Sequence, residues 1–121
     1  MPVVYTAESL ALACLELFVH VDPEDVPDDL VSIASDWPAH VEVETLDEKK
    51  LPRGWRRVPA PPALAELGSA WAAEGRTVAL RVPSAIIPEE HNLLLNPSHP
   101  AIAEIVRGTP RAFAFDPRMR K

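Results

Sequence analysis

Proline sets the first limit on what this chain can become. Fourteen prolines stand against four glycines in 121 residues. Each proline fixes φ, removes a backbone donor and stops helix propagation, so the chain must be built from many short elements joined by stiff loops. The length suits one domain with a real core and leaves no room for a second.

The opening stretch MPVVYTAESLALACLELFVH is the most ordered pattern between these breaks. Val3–Tyr5 reads as a short strand. A helix is expected from about Ala7 to His20, with Thr6 as N-cap and Glu8 and Ser9 in its first turn. The helix is apolar nearly all round, which predicts burial on most sides. Glu16 and His20 interrupt it, four apart and so on one face. Glutamate is almost never fully buried unless paired. The two are either an internal ion pair or one wall of a site. A strand that begins at residue 2 predicts further sequence upstream or a place at a sheet edge.

The segment Asp22–Asp29 is an acidic loop without a calcium-loop pattern. Leu30–Ala34 and His40–Leu46 read as strands, the second alternating with period two. They are expected to pair antiparallel around Trp37-Pro38, with Glu42 and Glu44 facing solvent. Leu51–Arg57 is a turn with Trp55 at a core edge, and Arg53, Arg56 and Arg57 form a basic cluster, either solvated or touching phosphate. A second helix opens at Pro61-Pro62, carries Leu64, Leu67, Trp71 and Ala72 on one stripe, and ends at Gly75. Gly68 within it suggests a close helix–sheet approach. Thr77–Val82 is a strand ended by Pro83, with Ser84 just beyond. Asn92–Asn96 is extended, Ala101–Val106 is a short helix or strand, and Arg111–Phe115 is a last strand. About six strands and two helices without strict alternation predict an α+β domain with a mixed or split sheet.

Composition then narrows the chemistry. A formal net charge of −6 argues against broad nucleic-acid binding. The apolar run is too short to span a membrane and no basic leader precedes it, so the expected location is cytoplasmic. Cys14 is the one cysteine and reads as a core residue, and His20, His40, His91 and His99 lack zinc spacing, so no metal is expected. There is no Gly-rich phosphate loop and no Gly-x-Ser-x-Gly elbow. What remains is a set of isolated polar residues beside apolar runs: Tyr5, Glu16, His20, Ser84, Asn92 and Asn96. Each also has a plain structural reading: a core-edge phenol, an ion pair, a turn-capping serine, loop-stitching asparagines.

A set of short motifs in fixed order adds to this. Val3-Val4-Tyr5-Thr6-Ala7-Glu8-Ser9-Leu10-Ala11-Leu12-Ala13 with Leu15-Glu16 and His20, then Leu51-Pro52-x-Gly54-Trp55, Gly68-x-x-Trp71, Arg81-Val82-Pro83-Ser84-Ala85, Leu94-Leu95-Asn96-Pro97-x-His99-Pro100 and Phe115-Asp116-Pro117-Arg118 together resemble the RES domain. They run from Val3 to Arg118. The resemblance implies a fold similar to ADP-ribosyltransferase toxins and a toxin partnered with a Xre-type helix-turn-helix antitoxin. It implies NAD as substrate, cleaved at the nicotinamide–ribose bond, with NAD degraded or ADP-ribose transferred. By the same resemblance Glu16 is the family glutamate and Ser84 the family serine, the catalytic pair. Tyr5 is the pocket tyrosine, His20 lines the same site, and Asn96 matches a further position that would contact NAD.

The family arginine lies upstream of the tyrosine, in a Gly-Gly-Arg-Trp-Asn stretch that this sequence does not contain. Residues 1–121 are therefore expected to be a single RES-like domain, shorter than the family at its N-terminal side, with weak or absent turnover. The roles implied for the pocket are Glu16 stabilising positive charge at the anomeric carbon, Tyr5 packing on nicotinamide, and Ser84 bonding the ribose or carboxamide. The alternative is an inactive RES-like fragment that only binds an antitoxin or forms a homodimer.

Overall fold

The computed structural model describes residues 2–119. Its centre is a four-stranded sheet in the order β1-β6-β5-β4, built from β1 (Val4–Ala7), β4 (Val43–Thr45), β5 (Ala79–Pro83) and β6 (His91–Leu95). β6 pairs antiparallel with both β1 and β5, while β4 runs parallel to β5. A parallel pair needs a long crossover, and the helix α2 (Pro62–Glu74) supplies it. Two antiparallel ladders of two residues each flank the sheet: β2 (Val31–Ser32) with β8 (Arg111–Ala112), and β3 (Ser35–Asp36) with β7 (Val106–Arg107). The result is α+β with mixed strands, as expected from the pattern.

The sheet is covered on both faces. On one, Trp71 and Ala72 of α2 pack on Leu80, ringed by Val3, Leu46, Val82 and Leu94. On the other, Val78, Ala79 and Leu95 are covered by Trp37, Val41, Val43, Ala101, Ile102 and Ile105. The Trp71 indole N–H donates to Thr77 Oγ1 at 3.0 Å, so the buried ring keeps its one polar atom satisfied. Gly75 ends α2 at φ 64°, in the left-handed region that a side chain disfavours. At Gly68 an added Cβ would meet Leu94 Cδ1 at 3.6 Å, an ordinary contact. The close approach over β6 therefore does not require glycine there.

Several local expectations are corrected. The first helix, α1, spans Leu10–His20 and its N-cap is Ser9, whose Oγ accepts from Leu12 N–H at 3.1 Å. Thr6 lies in β1 instead, because Thr6 and Ala7 continue the ladder opposite Leu93 and Asn92, and Thr6 Oγ1 donates to Leu93 O. Only Leu12 of α1 is fully buried, and Leu10 and Val19 stay more than half exposed, since the helix leans on the edge strand β1 rather than entering the core. Leu30–Ala34 does not pair with His40–Leu46. Alternation fixes which face a strand buries, not which strand lies beside it. Here the apolar β5 takes β4, and residues 106–112 return to take β2 and β3. Ala101–Val106 resolves into a 3-10 turn (Pro100–Glu104) followed by β7. Beyond β8, Phe113 N–H still donates to Leu30 O at 2.9 Å, and the Phe113 and Phe115 rings stack edge-to-face, with Phe115 set against Phe18 of α1 at 5.5 Å between centroids.

Candidate active site

β1 and α1 meet at a sharp corner, and the angle between them encloses a cavity of about 350 Å³. Its walls are Tyr5, Thr6 and Ala7 from β1, Ala13, Glu16, Leu17 and His20 from α1, and Asn92 from β6. The helix residues follow the i, i+3, i+4, i+7 spacing of a single face. Glu16 and His20 are thus on one wall, as the sequence predicts, but no ion pair joins them among the described residues.

Glu16 is held by Ser84 instead. Ser84 follows Pro83, the last residue of β5, and is fully buried. Its hydroxyl donates to Glu16 Oε1 at 2.9 Å. The same oxygen accepts the N–H groups of Ile86 at 3.1 Å and Ile87 at 3.2 Å. A serine hydroxyl has one proton and two lone pairs, so all three are in use. The plain reading of Ser84 as a turn cap and the reading as a site residue are therefore both present in one side chain.

Tyr5 faces Glu16 from β1. The phenol is pushed up to about 12, first by desolvation and second by the negative charge of Glu16. At neutral pH it is a neutral hydrogen-bond donor beside a carboxylate. Asn92, at 0% exposure, forms the base of the cavity. Its Nδ2 donates to Thr6 O at 3.3 Å, which fixes the amide orientation, and its Oδ1 has no partner among the described residues. A buried acceptor left unpaired costs about 1–3 kcal/mol.

The sequence model of one family, described as RES domain, matches residues 1–116. The chain belongs to the RES domain family. It is similar to a Sphingobium sp. (strain YBL2) protein named "Prs ADP-ribosylating toxin", at 41% identity over 97% of this chain and 74% of that one. It is also similar to two proteins named "Toxin Res". One is from Yersinia enterocolitica, at 33% identity over 97% of this chain and 77% of the relative. The other is from Photorhabdus laumondii, at 34% identity over 99% and 77%.

Within this RES domain the expected site residues do not all converge. Tyr5, Glu16 and His20 share the cavity, and Ser84 reaches it through Glu16. Asn96 lies elsewhere: Nδ2 donates to Ala72 O of α2 at 3.0 Å and Oδ1 accepts from Ser98 N–H at 3.0 Å, so it stitches the turn after β6 to the helix. Asn92 joins the cavity in its place. Asn92 is among the isolated polar residues the sequence singles out, opening the apolar run Leu93–Leu95, but the family resemblance gives it no role. Of the other histidines, His40 pairs with Glu104, His91 lies beside Glu8, and His99 caps the turn at Ala101. Among the described residues no group of three His, Cys, Asp or Glu could hold a metal, and no helix is long and apolar enough to cross a membrane.

A second cavity of about 490 Å³ adjoins the first. Tyr5 lines both. Its other walls, among them Trp55, Leu64, Leu67, Val82, Pro83, Ala85 and Leu94, are almost wholly apolar.

Proposed function

We propose that this RES domain cleaves NAD at the nicotinamide–ribose bond, with Glu16 as the residue that acts on the reacting carbon. The single observation behind this is the Glu16 carboxylate held at 2.9 Å by the buried Ser84 hydroxyl on the wall of a cavity shared with Tyr5 and His20. When the N-glycosidic bond breaks, its electron pair leaves with the nicotinamide nitrogen and positive charge grows on the anomeric carbon. A fixed carboxylate stabilises that charge without reorganising, and such a contribution is typically worth about 10²–10³ in rate. The acceptor, whether water, phosphate or a protein group, bonds the same carbon and gives up its proton to solvent. The similarity to a relative named as an ADP-ribosylating toxin favours transfer chemistry of this class.

The other residues divide the work. Tyr5 offers a neutral ring for nicotinamide to pack on. Ser84 has no free hydrogen-bonding capacity, so its contribution runs through Glu16 rather than through the ribose or carboxamide. The cavity wall carries no Lys or Arg among the described residues. A pyrophosphate without a cationic partner binds weakly, so this 121-residue chain turns NAD over slowly. An enzyme that drains NAD must be held silent in its own host, which fits a cytoplasmic toxin paired with a Xre-type antitoxin. Two relatives bear the name "Toxin Res". Homodimer formation is a separate proposal, read from the exposed Val4, Leu10 and Val19.

NAD titrated into the isotope-labelled chain tests the placement. Amide shifts centred on Tyr5, Ala13, Glu16, His20 and Asn92 are expected. Shifts confined to the Trp55 cavity would move the site away from Glu16.

A further inference from the structure

The basic turn at Leu51–Arg57 lies against the loop that carries Ser84. Arg56 Nε donates to Ala85 O at 2.8 Å, and Arg56 Nη2 reaches Ile86 O at 3.4 Å. Next to it, Trp55 lines the same cavity as Pro83 and Ala85. On the inner side of this loop, Ser84 Oγ accepts from Ile86 N–H and Ile87 N–H. Ala85 C=O and Ile86 N–H belong to one peptide plane, and Ile86 C=O and Ile87 N–H to the next. Arg56 and Ser84 therefore grip opposite ends of the same two peptide units.

Peptide planes are rigid, so fixing the carbonyl end aims the N–H end. A guanidinium presents its donors in a planar fork suited to two acceptors at once. Its positive charge also polarises both units and strengthens their N–H donors toward Ser84. With both lone pairs taken, the Ser84 proton can point only at Glu16.

We propose that Arg56 is a positioning residue for Glu16. It locks the two peptide units that orient Ser84, and through Ser84 it sets the direction of the carboxylate. The role in turnover rests on the reading of Glu16 as the group acting on NAD, whereas the mechanical link does not.

The test uses the whole chain and two readouts. In Arg56→Met, which keeps the stem and removes the fork, amide hydrogen exchange at Ile86 and Ile87 accelerates about tenfold while Leu80 and Leu94 are unchanged. Nicotinamide release from NAD falls about tenfold in kcat with KM held within about twofold. Arg56→Lys, with one donor group, restores part of both. Adding Arg56→Met to Ser84→Ala lowers kcat no further. Unchanged exchange at Ile86 and Ile87 would overturn the proposal, as would losses that multiply in the double variant. A defect in KM alone would also overturn it and make Arg56 a substrate contact. The exchange readout needs no NAD, so failure of the NAD reading leaves it standing and failure of the Arg56 link shows there first.

Discussion

Ser84 has a single proton to give, and the fold directs it to Glu16. Ser84→Ala leaves a carboxylate oxygen and two loop N–H groups without that partner. Each lost partner at a buried site costs about 1–3 kcal/mol, partly recovered if water enters, so a lower denaturation midpoint is expected together with reduced kcat. Glu16→Gln keeps the volume and removes the charge. The chain has one tyrosine, which makes Tyr5 a clean reporter of that charge. In the ultraviolet the wild-type phenol is expected to ionise near pH 12. Tyr5 as a residue is 59% exposed, but desolvation at the phenol is the larger cause and does not depend on Glu16, so in Glu16→Gln the midpoint falls only part of the way toward 10. An unchanged midpoint would separate the two side chains. The raised value also fixes a sign. The folded state prefers the neutral phenol, so this component of stability is whole below pH 10 and is lost as pH rises through about 12.

Among the elements, the two helices show what short-range pattern can and cannot reach. The bounds of α2 were legible because proline at the first helical position and glycine at the cap act locally. Its two glycines predict opposite outcomes. Gly75→Ala forces a side chain into φ 64° and is expected to destabilise by about 1 kcal/mol. Gly68→Ala adds a contact at 3.6 Å and a better helix former, and is expected to be neutral or stabilising by up to about 1 kcal/mol. Thermal midpoints of the two variants decide between them. At α1 the sequence misleads by three residues. Thr6 and Ser9 are equally good caps in isolation, and the choice is made by β6, which draws Thr6 and Ala7 into its ladder. Partner choice in β2, β3 and β4 was invisible for the same reason: it depends on segments up to about eighty residues away, which no local period reports.

On the scale of the whole molecule, the site is a meeting of segments that the sequence keeps apart. Glu16 and Ser84 lie 68 positions apart and touch because β1 and β5 both flank β6. The polar interruptions themselves were legible, since a glutamate in an apolar helix and a serine at a strand end are conspicuous without any structure. Their direct bond was not, and neither was which of Asn92 and Asn96 lines the cavity. That placement follows from where β6 ends: Asn92 lies within the strand and lines the cavity, while Asn96 falls just past Leu95 and bonds to α2. The central claim is that a carboxylate fixed in this way cleaves NAD. Its most direct test is the initial rate of nicotinamide release by the wild-type chain and by Glu16→Gln at equal concentration. A slow wild-type rate that drops by about 10²-fold or more in Glu16→Gln is the expected result. Release that survives Glu16→Gln undiminished would contradict it.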